Sequence, residues 1–165
     1  MIVEDGTGIG DSYASEAAFE TYCEARGLTF TGDVEAALVR ASAWLDARYG
    51  ARYPGKRAFG RDQGLGWPRV DATDRECEDI AEDAVPVEIV KATCAAALRE
   101  LASSGSLSPD VAGGGAVKRE RIGSLEVEYA NADGTRALGP LFPEIDGILA
   151  GLIKPRAMSF PLLRA

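Results

Sequence analysis

Apolar positions along this chain change period twice. From Val34 to Tyr49 they fall at Val34, Ala37, Leu38, Ala41, Trp44 and Leu45, the three-four spacing of a helix with one buried face, with Asp33 placed to cap it and Gly50 to end it. Two further stretches repeat the pattern. Ile89, Val90, Thr93, Cys94, Ala97, Leu98 and Leu101 predict a helix that Val85-Pro86 opens and Ser103-Ser104-Gly105 ends, its small residues allowing close packing. Ile145, Ile148, Leu149, Leu152 and Ile153 predict a last one, with Pro143 in its first turn and Lys154-Pro155 at its close. A shorter helix is expected from a Ser15 cap through Phe19, Tyr22 and Cys23 to Arg26, stopped by Gly27. Between Gly113 and Tyr129 the period drops to two. Val117, Arg119 and Arg121 alternate with Lys118, Glu120 and Ile122, and Leu125, Val127 and Tyr129 alternate with Glu126 and Glu128, which predicts a β-hairpin turning at Ile122-Gly123-Ser124. The first arm carries three bases and one acid and the second two acids, so opposite charges can face each other across the pair.

The expected fold is mainly α, a small bundle of about four helices with a protruding β-hairpin, a long loop and an extended C-terminal tail. The loop runs from residue 51 to 84, rich in Gly, Pro and charge, and a loop that long points to function or a contact surface. Within it, Trp67 with Arg69 is placed either to anchor the loop or to meet a neighbouring subunit, whereas Trp44 lies on a helical apolar face and belongs to the core. Asp71, Asp74, Glu76, Glu78, Asp79, Glu82 and Asp83 oppose Arg75 alone; lacking calcium-loop spacing, they read as a solvated acidic surface. An isolated hairpin is marginal in water, so Val117, Lys118, Arg119, Arg121, Leu125, Val127 and Tyr129 read as an intersubunit arm on a Gly113-Gly114-Gly115 base. The acidic loop of an adjacent copy is the candidate partner for its bases. The tail sets Lys154, Arg156 and Arg164 beside Met158, Phe160, Leu162 and Leu163, and a segment this apolar is expected to dock on a partner.

Composition narrows the chemistry. With 165 residues, 46% of them hydrophobic, the chain can bury one real core and is too short for two ordinary domains. Eighteen basic against 26 acidic residues give a net charge of −8, which argues against broad wrapping of nucleic acid and leaves room for a small local basic patch. There is no His, which removes the commonest general base, nucleophile activator and metal ligand together. Cys23, Cys77 and Cys94 are odd in number and widely spaced, so buried thiols in a reducing compartment are expected, not disulfides or zinc ligands. Gly6-Thr7-Gly8-Ile9-Gly10 lacks the Lys and the preceding strand of a phosphate loop and reads as a flexible arm. No apolar run follows the acidic N-terminus or reaches bilayer-spanning length, so a soluble protein without signal peptide or membrane partner is expected. No catalytic residue, metal or cofactor is assigned.

An ordered series of motifs resembles a known family. Ile2-Val3-Glu4-Asp5-Gly6-Thr7-Gly8, Ser12-Tyr13-Ala14-Ser15, Trp44-Leu45-Asp46 with Tyr49, and Gln63-Gly64-Leu65-Gly66-Trp67-Pro68-Arg69 form its first half. Val85-Pro86, Gly114-Gly115-Ala116-Val117-Lys118-Arg119-Glu120 and Val127-Glu128-Tyr129 complete it. Together they resemble the head-completion, or head-to-tail connector adaptor, proteins of tailed phages and prophages, over nearly the whole chain to Ile153. The resemblance implies a single adaptor domain over residues 1–153, with its hairpin within 116–130, and a docking tail over 154–165. It further implies a dodecameric ring beneath the portal protein that extends the DNA channel, passes double-stranded DNA without specific binding, and docks the next connector or tail-completion protein. Such a protein resides in the virion, and in the host cytoplasm during assembly. The tail residues Lys154 to Arg164 would then reach the portal. Sequences of this kind are sometimes labelled DnaT-like single-stranded-DNA-binding proteins, and that is the alternative reading, motivated by Trp67-Pro68-Arg69 and Lys118-Arg119-Glu120-Arg121. An acidic, His-free chain lends it little chemistry.

Overall fold

The computed structural model describes residues 11–108 and 141–154 in full and, by their backbone, the strands Arg119–Ile122 and Leu125–Glu128. The described chain is mainly α. Its first helix, α1 (Glu16–Glu24), begins where Ser15 Oγ accepts the Ala18 amide at 3.1 Å, and buries Phe19, Tyr22 and Cys23. It ends before Arg26, because Gly27 adopts a left-handed φ of 62° and the last amides close tight turns on Cys23 and Glu24. The second helix, α2 (Val34–Tyr49), has the bounds its periodicity predicts, with Asp33 Oδ1 accepting the Ala36 amide at 3.0 Å. Trp44 is half-buried on it, its ring edge-on to Phe142 at 4.9 Å with the Arg48 guanidinium nearby, so it belongs to the packing as expected.

The third helix, α3 (Val87–Ala102), packs against α1, α2 and α4 and is buried on more than its apolar stripe. Ala92, Ala95, Ala96 and Ala97 are all at most 2% exposed, because side chains this short let neighbouring backbones approach from several sides. Its two interior polar groups are satisfied. Thr93 Oγ1 donates to the Ile89 carbonyl at 2.8 Å, and Glu100 receives Arg40 Nε at 3.1 Å and the Gly105 amide at 2.9 Å. The fourth helix, α4 (Pro143–Leu149), stops one turn short of the expected Lys154, yet Leu152 and Ile153 stay buried, since both amides fold back onto the Leu149 carbonyl. Cys23 and Cys94 are buried thiols; Cys77, expected to be one too, is exposed at a left-handed φ of 68° in the acidic loop. The reason is local: residues 74–78 form a tight turn, with Asp74 Oδ1 accepting the Glu76 and Glu78 amides, and it carries Cys77 out into solvent.

The segment after α2 is less open than its composition suggests. It carries two short strands, β1 (Lys56–Arg57) and β2 (Arg69–Val70), paired antiparallel with Arg57 opposite Arg69, and a 3₁₀ turn at Gly60–Asp62 between them. The acidic residues from Asp71 to Asp83 lie at the surface, as expected, with Asp74 half-buried in its turn.

The described residues divide into two compact units, the helical one above and one between Ser108 and Leu141 that holds the hairpin. There, β3 (Arg119–Ile122) and β4 (Leu125–Glu128) pair antiparallel, with Arg119 opposite Glu128 and Arg121 opposite Glu126. The register sets basic and acidic positions opposite one another, as expected from the sequence. Among the described residues, no helix is long and apolar enough to cross a membrane.

Candidate functional site

Polar groups converge where the long loop meets α2. Asp46, one turn from the end of α2, accepts Tyr13 Oη on Oδ1 at 2.5 Å and the Gly66 amide on Oδ2 at 2.7 Å. Tyr13 Oη in turn accepts the amides of Gly66 at 2.7 Å and Trp67 at 3.2 Å. Three distant parts of the chain are tied at one point. Burial pushes the Asp46 carboxyl above the usual carboxylate range, against the opposing pull of its hydrogen bonds to Tyr13 and Gly66. Burial, reinforced by the Asp46 charge, likewise raises the phenols of Tyr13 and Tyr53. Tyr13 and Asp46 thus hold one another and the backbone amides of Gly66 and Trp67, while the Tyr53 hydroxyl is buried without a hydrogen-bond partner among the described residues.

The motif Gln63-Gly64-Leu65-Gly66-Trp67-Pro68-Arg69 is built around this tie. Trp67 is fully buried against Tyr53, with ring centroids 5.8 Å apart, and is joined to Pro68 by a cis peptide bond. Of the two roles its sequence leaves open, Trp67 takes the loop anchor. Arg69 works within the chain's own fold, since its guanidinium donates to the carbonyls of Pro54 at 2.5 Å, Gly55 at 2.9 Å and Gly66 at 3.0 Å. Gln63 is buried too, its Nε2 donating to the Leu65 and Pro68 carbonyls and its Oε1 accepting the Phe59 amide.

What this frame holds out is a basic segment that the sequence reading passed over. Between Asp46 and Asp62 stand Arg48, Arg52, Lys56, Arg57 and Arg61 with no acid among them, a signal diluted by the acidic run that follows. Arg48 lies over the Phe142 ring, and Arg52 Nε donates to the Lys154 carbonyl at 2.8 Å. Lys56, Arg57 and Arg61 are exposed, and with them Phe59, at 52% one of the more exposed large apolar side chains among the described residues. A second open feature is an apolar groove of about 460 Å³ between α1 and α3, lined by Ala17, Tyr22, Val87 and Val90 among others.

The other expected site residues divide by position. Arg119, Arg121, Leu125 and Val127 lie on the hairpin strands, while Val117, Lys118 and Tyr129 fall outside the described residues. Of the tail only Lys154 is described, its amide on the Arg52 carbonyl at 2.9 Å; Arg156, Met158, Phe160, Leu162, Leu163 and Arg164 lie outside, as does the Gly6 to Gly10 arm. Among the described residues, no cluster of His, Cys, Asp or Glu has the arrangement of a metal site.

A family model described as "Putative DnaT-like ssDNA binding protein" matches residues 1–165. The chain belongs to that family. Comparison with curated proteins and with solved structures finds no match. Membership bears on the alternative reading of the sequence, single-stranded-DNA binding, more than on the connector reading. In this member of the family, however, neither tryptophan is an open stacking platform: Trp67 is wholly buried and Trp44 is packed edge-on against Phe142.

Proposed function

We propose that this protein is a non-catalytic connector adaptor, a ring-forming subunit that sits beneath the portal of a tailed-phage head, extends the DNA channel and docks the next tail component. The observation that carries the reading is the hairpin, a two-stranded element in a compact unit of its own. Two strands alone are marginal in water, so such a unit gains most of its stability from a partner surface, and a ring supplies one in every neighbour. The ordered family motifs of the sequence support the same reading, and the buried motif from Gln63 to Arg69 explains one of them as a device for fixing a loop rather than for chemistry. The register adjusts one detail. It places an acidic position opposite each of Arg119 and Arg121 within their own hairpin, Glu128 and Glu126 respectively. The test is truncation: a chain lacking Met158 to Ala165 is expected to keep the melting transition of the helical unit and to be missing from assembled particles. Normal incorporation of the truncated chain would refute portal docking by the tail.

A second reading, a single-stranded-DNA-binding module, is the one the family's description favours. The net charge of −8 and the buried Trp67 weigh against it. A salt-dependent titration against an oligonucleotide separates the two, since absence of binding at low salt removes the DNA-binding module.

A further inference from the structure

We infer that the loop from Lys56 to Arg61 is a contact site for single-stranded DNA, with the Phe59 ring as a stacking platform and Lys56, Arg57 and Arg61 as phosphate partners. The inference rests on the single-stranded-DNA reading and supplies it with residues other than the two tryptophans.

Single-strand binding needs an exposed aromatic face next to cations that follow the backbone. This loop combines the two within six residues. Phe59 is 52% exposed although the loop bearing it is pinned on both sides: the Ala58 amide donates to the Pro68 carbonyl at 3.1 Å and the Phe59 amide to Gln63 Oε1 at 3.1 Å. Gly60, at a φ of 59°, turns the chain directly after it. A phenyl held out by a fixed backbone loses little conformational freedom when a base stacks on it. Its flanking cations are exposed. The Lys56 side chain is 82% exposed and meets Asp71 only at 3.9 Å, an exposed pair weak enough to yield to a phosphate. Arg57 spends one donor on the Gln63 carbonyl at 3.4 Å and keeps its others, and Arg61 is exposed. Asp62 and Asp71 are the acids beside the patch, leaving it one net positive charge in a chain of −8. That balance gives a small, salt-sensitive site and not a wrapping surface.

Fluorescence anisotropy of the full chain with a labelled oligothymidylate at low salt tests the site. Phe59→Ala is expected to weaken binding roughly 5- to 150-fold, the range of one lost base stack. Lys56→Glu is expected to weaken it too and to flatten the dependence of log K on log salt by about 0.7 per phosphate contact removed, and adding Arg61→Glu to weaken it further. Lys91→Glu, the same charge change at an exposed position on α3, is expected to leave affinity within about twofold. All the substituted side chains are exposed, and unchanged melting by circular dichroism confirms that each variant folds. If the wild type binds and the loop variants bind equally well, the site is wrong while the DNA-binding reading stands. If Lys91→Glu weakens binding as much as Lys56→Glu, overall charge governs binding and the site is again wrong. If the wild type does not bind, the DNA-binding reading falls and the site falls with it.

Discussion

Gly66 shows how narrowly the loop is fixed. A Cβ there would lie 2.8 Å from Asp46 Oδ1, 3.0 Å from Tyr53 Cε2 and 3.2 Å from Tyr13 Oη, whereas one at Gly64, two residues earlier, meets nothing within 4 Å. Gly66→Ala is therefore expected to cost about 1–3 kcal/mol by overpacking, and Gly64→Ala less than about 0.5 kcal/mol. Equal melting temperatures for the two variants would contradict the packing at Asp46. That carboxyl also sets a pH dependence. Its folded pKa is raised by burial, so the stability it contributes is fully present below the ordinary carboxylate range and is lost as pH rises through the raised value. Measured against Asp46→Asn by chemical denaturation, the wild type is expected to lose stability across that window. A flat difference, or one of opposite sign, would show that the group is not desolvated. The sequence displays Tyr13, Asp46 and Gly66 as separate motif letters; their meeting was illegible in it, because it depends on contacts between residues 20 to 54 positions apart.

Among the elements, legibility follows local determinants. The bounds of α2 were readable because its cap, its stripe and its terminal Gly all lie within the helix or next to it. The central place of α3 was not, since an alanine-rich face is silent in hydrophobic periodicity and becomes core only when three other helices close on it. The early end of α4 has the same origin: the apolar period continues to Ile153, but its last residues bury through a turn. The hairpin was readable from its period of two, and its register now yields a sharper prediction than composition allowed. Reversing Arg119 and Arg121 to Glu sets like charges opposite Glu128 and Glu126, at about 0.2–1 kcal/mol per pair. Oligomer formation, read by sedimentation, is expected to suffer while the melting of the helical unit stays the same, and adding Glu126→Arg and Glu128→Arg should restore it. A fall in the helical melting temperature equal to the loss of assembly would instead make the hairpin part of the core.

The described residues as a whole form a helical unit and a hairpin unit, and in the helical unit the Asp46 network holds a loop in place. Among the described residues, Asp46 and Glu100 hold backbone amides in structural hydrogen bonds, and the acids from Asp71 to Asp83 are spread along the surface. In the proposed connector role, a charge of −8 would keep DNA from adhering to the channel, because like charges repel. The basic loop from Lys56 to Arg61 is the local exception, and it escaped the sequence reading because seven acids stand in the thirteen residues from Asp71 to Asp83. Electron microscopy of particles carrying a labelled copy of this protein tests the connector assignment most directly. A ring of label at the portal vertex is the expected result, and mature particles without it would contradict the assignment.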